Sequence, residues 1–369
     1  MKYHNISHCT ATAALTSVLL FAAGCRSPQT VPEVASVEYS PTLEVVAESE
    51  RQWTGVTVDP DERIFVCFPR WSDEVPFSVG EVLTGRVLPF PDNEWNDWQP
   101  GMNPAEHFIC VQSVVVDDEG FLWVLDPANP RFEGVVPGGA KLIKFDTELA
   151  VPTKIITFSE KLVPKNSYLN DVRIDTRSDT AYITDSGAGA LIVVDLTDQS
   201  ARRILAGHES TKSESTIVEI NGKMWNKNGD TLRDVHADGI ALSPDGRQLY
   251  YHALTGSTLY RIATRHLRNA DLSAQALEKK VQTLEKTGPV DGILMGPDGY
   301  LYLTALEKHA ITRRTPAGTY ETVVKSPRLR WPDTLSIGPD GFVYVTTSQI
   351  HLGQNPETPY GLYRFKPVP

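Results

Sequence analysis

Residues 292–303 read GILMGPDGYLYL. An apolar run, a Pro-Asp-Gly turn and a second alternating apolar run spell two short antiparallel strands joined by a tight turn. The same pattern recurs as GVTVDPDERIFV from Gly55, SVVVDDEGFLWV from Ser113, DVRIDTRSDTAYI from Asp171, GIALSPDGRQLYY from Gly239 and TLSIGPDGFVYV from Thr334. Repeats of one supersecondary unit at this period predict a radial all-β architecture, a six-bladed β-propeller.

The turns superimpose on Asp59, Asp117, Asp175, Ser243, Gly296 and Gly338. Five residues before each lies a polar side chain: Thr54, Gln112, Asn170, Asp238, Asp291 and Asp333. The innermost strand of each propeller blade lines the central channel, so one position repeated six times predicts a polar ring at one mouth. Its successive members are 58, 58, 68, 53 and 42 residues apart, which places insertions in the loops. Further strands are read at 140–146, 190–196, 257–263 and 319–324, so four-stranded antiparallel blades are expected. Strands within 42–53 and 360–368 would pair the two chain ends in one blade, leaving few exposed edges. Leu272, Ala276, Leu277, Val281 and Leu284 are spaced for a short amphipathic helix over 272–284.

The chain has 369 residues and a formal net charge of -11 without a Lys/Arg-rich stretch, which argues against a nucleic-acid partner. The repeats fill most of it, so one domain and a monomer are expected. The N-terminus reads as an export signal, with Lys2, an apolar stretch over 11–23 too short for a comfortable span, and small residues before Cys25. Ala22-Ala23-Gly24-Cys25 resembles a bacterial lipobox, which implies lipidation of Cys25 and a membrane-anchored lipoprotein of the periplasm or outer membrane. A plain secretory peptide is the alternative. The expected organisation is therefore signal peptide 1–24, spacer 25–42 and propeller 43–369. Cys67 and Cys110 remain for the domain, as a disulfide or as two buried thiols.

Three chemistries suit the ring. Asp238, Asp291 and Asp333 with Asn170 and Gln112 could hold a cation such as Ca²⁺ through oxygen ligands, or hydrogen-bond a polar or amine ligand. Crowded carboxylates also raise one another's pKa, which makes a catalytic base or acid. The bland alternative is that each Asp merely orders a turn. His236, two residues before Asp238, is a candidate proton shuttle at the rim. Trp331, two residues before Asp333, is the aromatic candidate for the pocket, whereas Trp71, Trp95, Trp98 and Trp123 are read as blade packing.

The segments CVQSVVVDDEGFLWVLD from Cys110, LNDVRIDTRSDTAYITDSGAGALIVVDL from Leu169, DGIALSPDGRQLYYHALTGSTLYRI from Asp238 and WPDTLSIGPDGFVYVTTSQIHL from Trp331 resemble a bacterial member of the major royal jelly/yellow protein family. The resemblance implies a six-bladed propeller, ligand binding in the central channel, including of biogenic amines, and in some members dopachrome tautomerase-like isomerase activity. A more distant resemblance is to the gluconolactonase/senescence marker propellers, which implies a divalent metal held by a Glu, an Asn and an Asp. Asn170 and Asp238 match two of these positions, while Thr54 stands at the Glu position. Three functions are therefore expected in competition: a ligand-binding or isomerising propeller, a metal-dependent lactonase, and a non-enzymatic surface-anchored binding module.

Overall fold

In the computed structural model, residues 41–73, 75–225, 234–353, 356 and 358–367 are described. The stretch read as a signal and lipobox, with Cys25, lies outside them. Six four-stranded antiparallel sheets follow one another along the chain as the blades of a propeller. Blade one comprises Val56–Val58, Ile64–Cys67, Val79–Leu83 and Arg86–Pro89. Blade two comprises Ser113–Val116, Leu122–Asp126, Lys141–Asp146 and Val151–Thr157. Blade three runs through Leu169–Asp175, Thr180–Asp185, Ala190–Asp195 and Ala201–Ile204. Blade four holds Ala237–Leu242, Gln248–Ala253, Thr258–Ala263 and Gln282–Lys286, and blade five Val290–Met295, Leu301–Ala305, Ala310–Arg314 and Tyr320–Lys325.

Blade six closes the ring. Its inner strands Pro332–Ile337 and Val343–Thr347 pair outward with Tyr360–Phe365, and the outermost place is taken by Glu44–Ser49 from the other end of the chain. Every repeat read in the sequence is the inner hairpin of one blade.

The inner strands are buried on both faces because each blade packs against two neighbours, and one apolar cluster fills every gap. Phe65 and Val79 of blade one meet Val114 and Val124 of blade two. Leu125 and Leu142 meet Val172, Ile183 and Ile192 across the next gap. Tyr182 and Val193 meet Ile240 and Tyr251, and Tyr250 and Leu259 meet Ile293 and Leu303. Tyr302 and Ile311 meet Leu335 and Phe365, and Ala47 and Tyr344 meet Val56 and Val66. Burial at about 25 cal/mol per Å² of apolar surface makes these six seams the main source of stability.

One expectation needs correcting. The apolar spacing over 272–284 resolves into a single helical turn, Ala274–Glu278, and a strand that starts at Gln282. Leu277 is buried from the turn, while Leu284 belongs to the outer strand of blade four. The need of that blade for a fourth strand overrides a 3.6-residue spacing carried by few residues. Cys67 and Cys110 are both buried free thiols. Cys67 donates to the Gln112 carbonyl at 3.1 Å, whereas Cys110 lies 3.8 Å from the Tyr168 hydroxyl.

Candidate functional site: an acidic ring beneath an aromatic wall

The inner strands carry the ring to one end of the channel, and a local irregularity aims it. In blades three to six the pairing of first and second strand slips between Leu169 and Val172, Ala237 and Ile240, Val290 and Ile293, and Pro332 and Leu335. Asn170, Asp238, Asp291 and Asp333 each fall inside one of these four bulges. A bulge leaves a residue out of the ladder and re-aims its side chain, which is why all four point into the channel. Neighbouring inner strands approach so closely that a Cβ on Gly292 would come within 2.1 Å of the Asp333 carbonyl, and one on Gly239 within 2.5 Å of the Asp291 carbonyl. The glycine after Asp238 and Asp291 is thus a packing requirement. Hydroxyls tie the blades together at this level: Thr184 donates to the Asp238 carbonyl at 2.6 Å and Thr54 to the Gln112 carbonyl at 3.1 Å.

Gln112, Asn170, Asp238, Asp291 and Asp333 line one cavity of about 170 Å³. Thr54 is the ring member that does not, because its hydroxyl is turned to the backbone of blade two. The remaining walls come from Gln52, Ser186 and Gly353, from the apolar Val235, Leu254 and Ile350, and from the aromatic Trp71, Phe132, Tyr168 and Trp225. Trp71 stacks on Phe132 at 5.7 Å between ring centroids, and Phe132 lies 4.9 Å from Tyr168. Phe132 is held there by a loop in which Arg131 and Phe132 both have left-handed backbone, φ 54° and 61°, a conformation costly for residues with a Cβ. Arg131 donates through Nε and Nη2 to Glu133 and through Nη1 to Asp73, joining the Phe132 loop to the Trp71 loop.

The ring carboxyls are proton-hungry. Burial raises Asp238 well above the ordinary carboxylate range, and the charges of Asp291, Asp171 and Asp333 add to it. Burial likewise raises Asp333, with Asp291 contributing next. Asp291 is pushed up to about 7 by burial, restrained by the indole N–H of Trp331, which donates to its Oδ2 at 2.6 Å. Asp238 and Asp291 lie within hydrogen-bonding reach of each other, a contact that raises the pKa of Asp238 and lowers that of Asp291. Asn170 donates through Nδ2 to Asp238 Oδ1 at 2.7 Å. Deeper in the channel, Asp171 accepts from Ser113 at 2.9 Å and faces Arg173, whose guanidinium bonds the Ile293 carbonyl in blade five.

The other sequence candidates sit around the cavity. Trp331 is fully buried, stacks on His351, and reaches the site through Asp291. His236 lies outside the cavity lining: its Nδ1 accepts from the Ser213 N–H at 2.9 Å and its Nε2 is 2.7 Å from Lys212 Nζ. Burial and then the Lys212 charge lower its pKa, so it stays neutral. Trp71, assigned to blade packing from its sequence, stands in the cavity wall. Tyr168 and Phe132 escaped the sequence reading. Tyr168 had a signal, since it precedes Asn170 by the offset that separates Trp331 from Asp333.

The residues present do not fit the lactonase type of metal centre. The carboxylate expected at the Thr54 position is missing, and Asp238 Oδ1 and Asp291 Oδ2 already accept from Asn170 and Trp331. Among the described residues no group of three or more His, Cys, Asp or Glu is arranged to hold a metal ion.

Similarity to known proteins follows the same outline. Regucalcin from Agrobacterium tumefaciens, a calcium-binding protein, superimposes with a TM-score of 0.56 at 15% identity over 89% of this chain and 96% of its own. A gluconolactonase from Xanthomonas campestris gives 0.55 at 13% identity, covering 89% of each chain. At these identities the likeness is one of fold. Protein yellow of Drosophila yakuba is 23% identical over 273 residues, 68% of this chain and 48% of the relative. Major royal jelly protein 5 of Apis mellifera is 23% identical over 279 residues, 70% of this chain and 42% of the relative. The chain spans about half the length of these curated relatives. The family model for the major royal jelly protein matches residues 109–367, which takes in blades two to five, the three inner strands of blade six and every ring residue that lines the cavity. The chain belongs to the major royal jelly protein family.

Proposed function

We propose that the protein binds a small organic ammonium with an aromatic or apolar body in the ring cavity. The supporting observation is that three carboxyls with raised proton affinity line the same small cavity as a four-membered aromatic wall. A buried carboxyl cluster gives up protons when a cation arrives to replace them, and aromatic faces attract that cation while covering the apolar body.

Isothermal titration with tyramine and phenethylamine tests the reading. Asp238→Asn and Asp333→Asn should each weaken binding about tenfold or more, because hydrogen bonds to charged groups contribute roughly 1.5–3 kcal/mol. Wild-type affinity in both variants would remove the ring as the site.

A second reading, proton transfer, is favoured by the hydrogen-bonding contact between Asp238 and Asp291. Asp291, titrating near neutrality, would take a proton from a carbon acidified by a neighbouring carbonyl or iminium, and Asp238 would return one to a second atom. The sum is an isomerisation of the dopachrome tautomerase type, with no net change in atoms or electrons. Loss of dopachrome absorbance should be accelerated by wild type and not by Asp291→Asn; equal rates would leave binding alone.

The lipobox reading of Cys25 places this activity at a membrane surface in an exported compartment. Cys25→Ser should abolish lipid labelling and release the protein from the membrane fraction, and unchanged labelling would overturn the assignment.

A further inference from the structure

The wall residue Trp71 contacts the ring through a hydrogen-bond chain whose direction is determined. An indole N–H donates and never accepts. Trp71 Nε1 lies 2.6 Å from the Tyr168 hydroxyl oxygen, so that oxygen is the acceptor. The hydroxyl proton is then available to the next partner, and Gln112 Oε1 lies 2.9 Å away. Burial holds the Tyr168 phenol well above its ordinary pKa, so the proton is present throughout the physiological range. With its oxygen engaged, the Gln112 amide turns its NH₂ toward the cavity that the side chain lines.

We infer that Trp71 is a positioning residue which, through Tyr168, fixes the Gln112 amide with its N–H donors facing the cavity, so that this side of the ring selects a ligand group that accepts hydrogen bonds. The inference rests on the proposal that the cavity is a ligand site, and adds a polarity to it. Opposite the carboxyls, which call for a donor or a cation, the blade-two wall calls for a carbonyl, ether or hydroxyl oxygen. The three links come from three places: Trp71 from a loop of blade one, Tyr168 from the entry to blade three, and Gln112 from the entry to blade two. Without the indole, the phenol and amide could reverse together, with Gln112 donating to Tyr168 and Tyr168 turning its proton toward Cys110, 3.8 Å away.

Two neutral probes of similar shape separate polarity from packing: acetophenone, which can only accept, and ethylbenzene, which can do neither. Wild type should bind acetophenone about three- to tenfold more tightly than ethylbenzene, the increment of one net hydrogen bond. Trp71→Phe, which keeps an aromatic ring against Phe132, and Tyr168→Phe should each erase that preference, bringing the ratio of the two affinities to about one whatever the lost packing does to both. Equal weakening of both probes would show that Trp71 serves only as wall. A preference that survives in Trp71→Phe, or is absent in wild type that binds ethylbenzene, would overturn the inference. Neutron diffraction from deuterium-exchanged crystals reads the chain without a ligand. Deuterium on Tyr168 directed at Gln112 Oε1 supports the inference, and deuterium on the Gln112 nitrogen directed at Tyr168 overturns it. If the neutron map shows the expected chain and neither probe binds, the ligand-site proposal fails and the polarity stands.

Discussion

The indole N–H of Trp331 donates to Asp291 Oδ2 at 2.6 Å, so the proton affinity of a ring carboxyl is set in part by a side chain that never reaches the cavity. Trp331 lies in the turn before blade six and Asp291 on the inner strand of blade five. The bond crosses a blade boundary.

Replacing Trp331 with Phe should therefore raise the Asp291 pKa above its value of about 7. A cation needs ionised carboxylates, so tyramine affinity should increase with pH, and in Trp331→Phe the midpoint of that increase should move upward by roughly half to one pH unit. Titrations from pH 5 to 9 check it, and an unmoved midpoint would mean that the indole only packs.

Stability should depend on pH in the sense opposite to that of paired surface carboxylates. Asp291 has an ordinary value of 3.8 and is raised to about 7 by burial, with Asp238 and Asp333 raised for the same first cause. The folded state then holds more protons than the unfolded chain, so this contribution is complete below about pH 4 and is lost as pH rises through about 7. Asp291→Asn removes the group whose value of about 7 falls in this window. The variant's melting temperature should equal or exceed that of wild type at pH 8, with the gap narrowing toward pH 5, by roughly 2 °C or more. Calorimetry at both pH values gives the difference, and a variant less stable at pH 8 than at pH 5, relative to wild type, would contradict it.

Calcium is expected to leave the protein nearly unchanged. A site with a dissociation constant of about 10 μM would contribute about 2.7 kcal/mol of stability at 1 mM ion. Melting in 1 mM CaCl₂ and in chelator should agree within about 1 °C. A larger rise that Asp238→Asn abolishes would reinstate the ring as a metal centre.

Deleting residues 360–369 should unfold the domain as a whole. Tyr360–Phe365 pairs with Val343–Thr347 on one side and Glu44–Ser49 on the other, and Gln349 donates to the Thr358 and Pro359 carbonyls just before it. Loss of the cooperative melting transition is expected; a truncated chain that melts like wild type would show that blade six closes without this strand.

The inner hairpins were legible because a two-residue alternation broken by Pro-Asp-Gly has few other structural solutions, and the six copies also placed the ring. What the pattern could not convey is the bulge at Asn170, Asp238, Asp291 and Asp333, which depends on how adjacent inner strands crowd the axis. The aromatic wall was less visible still. Trp71, Phe132 and Trp225 stand on irregular connections with no shared spacing, and Trp71 and Phe132 are brought together by backbone strain and by the Arg131 bonds to Asp73 and Glu133. Tyr168 lay between these cases, readable only once the offset of Trp331 from its ring residue was taken as a second repeated position.

The ion pair between Glu44 and Arg364 joins side chains 320 positions apart. A chain growing on the ribosome can form five blades in turn, each on the face left open by the last, but the sixth stays incomplete until its final strand emerges. Until that moment, the apolar edges of blades one and six are exposed together, and this interval is when the molecule is most open to capture by chaperones or by other unfinished copies. Because the early strand takes the outermost place in its blade, this last closure is made at the perimeter and not at the channel mouth that holds the carboxyls.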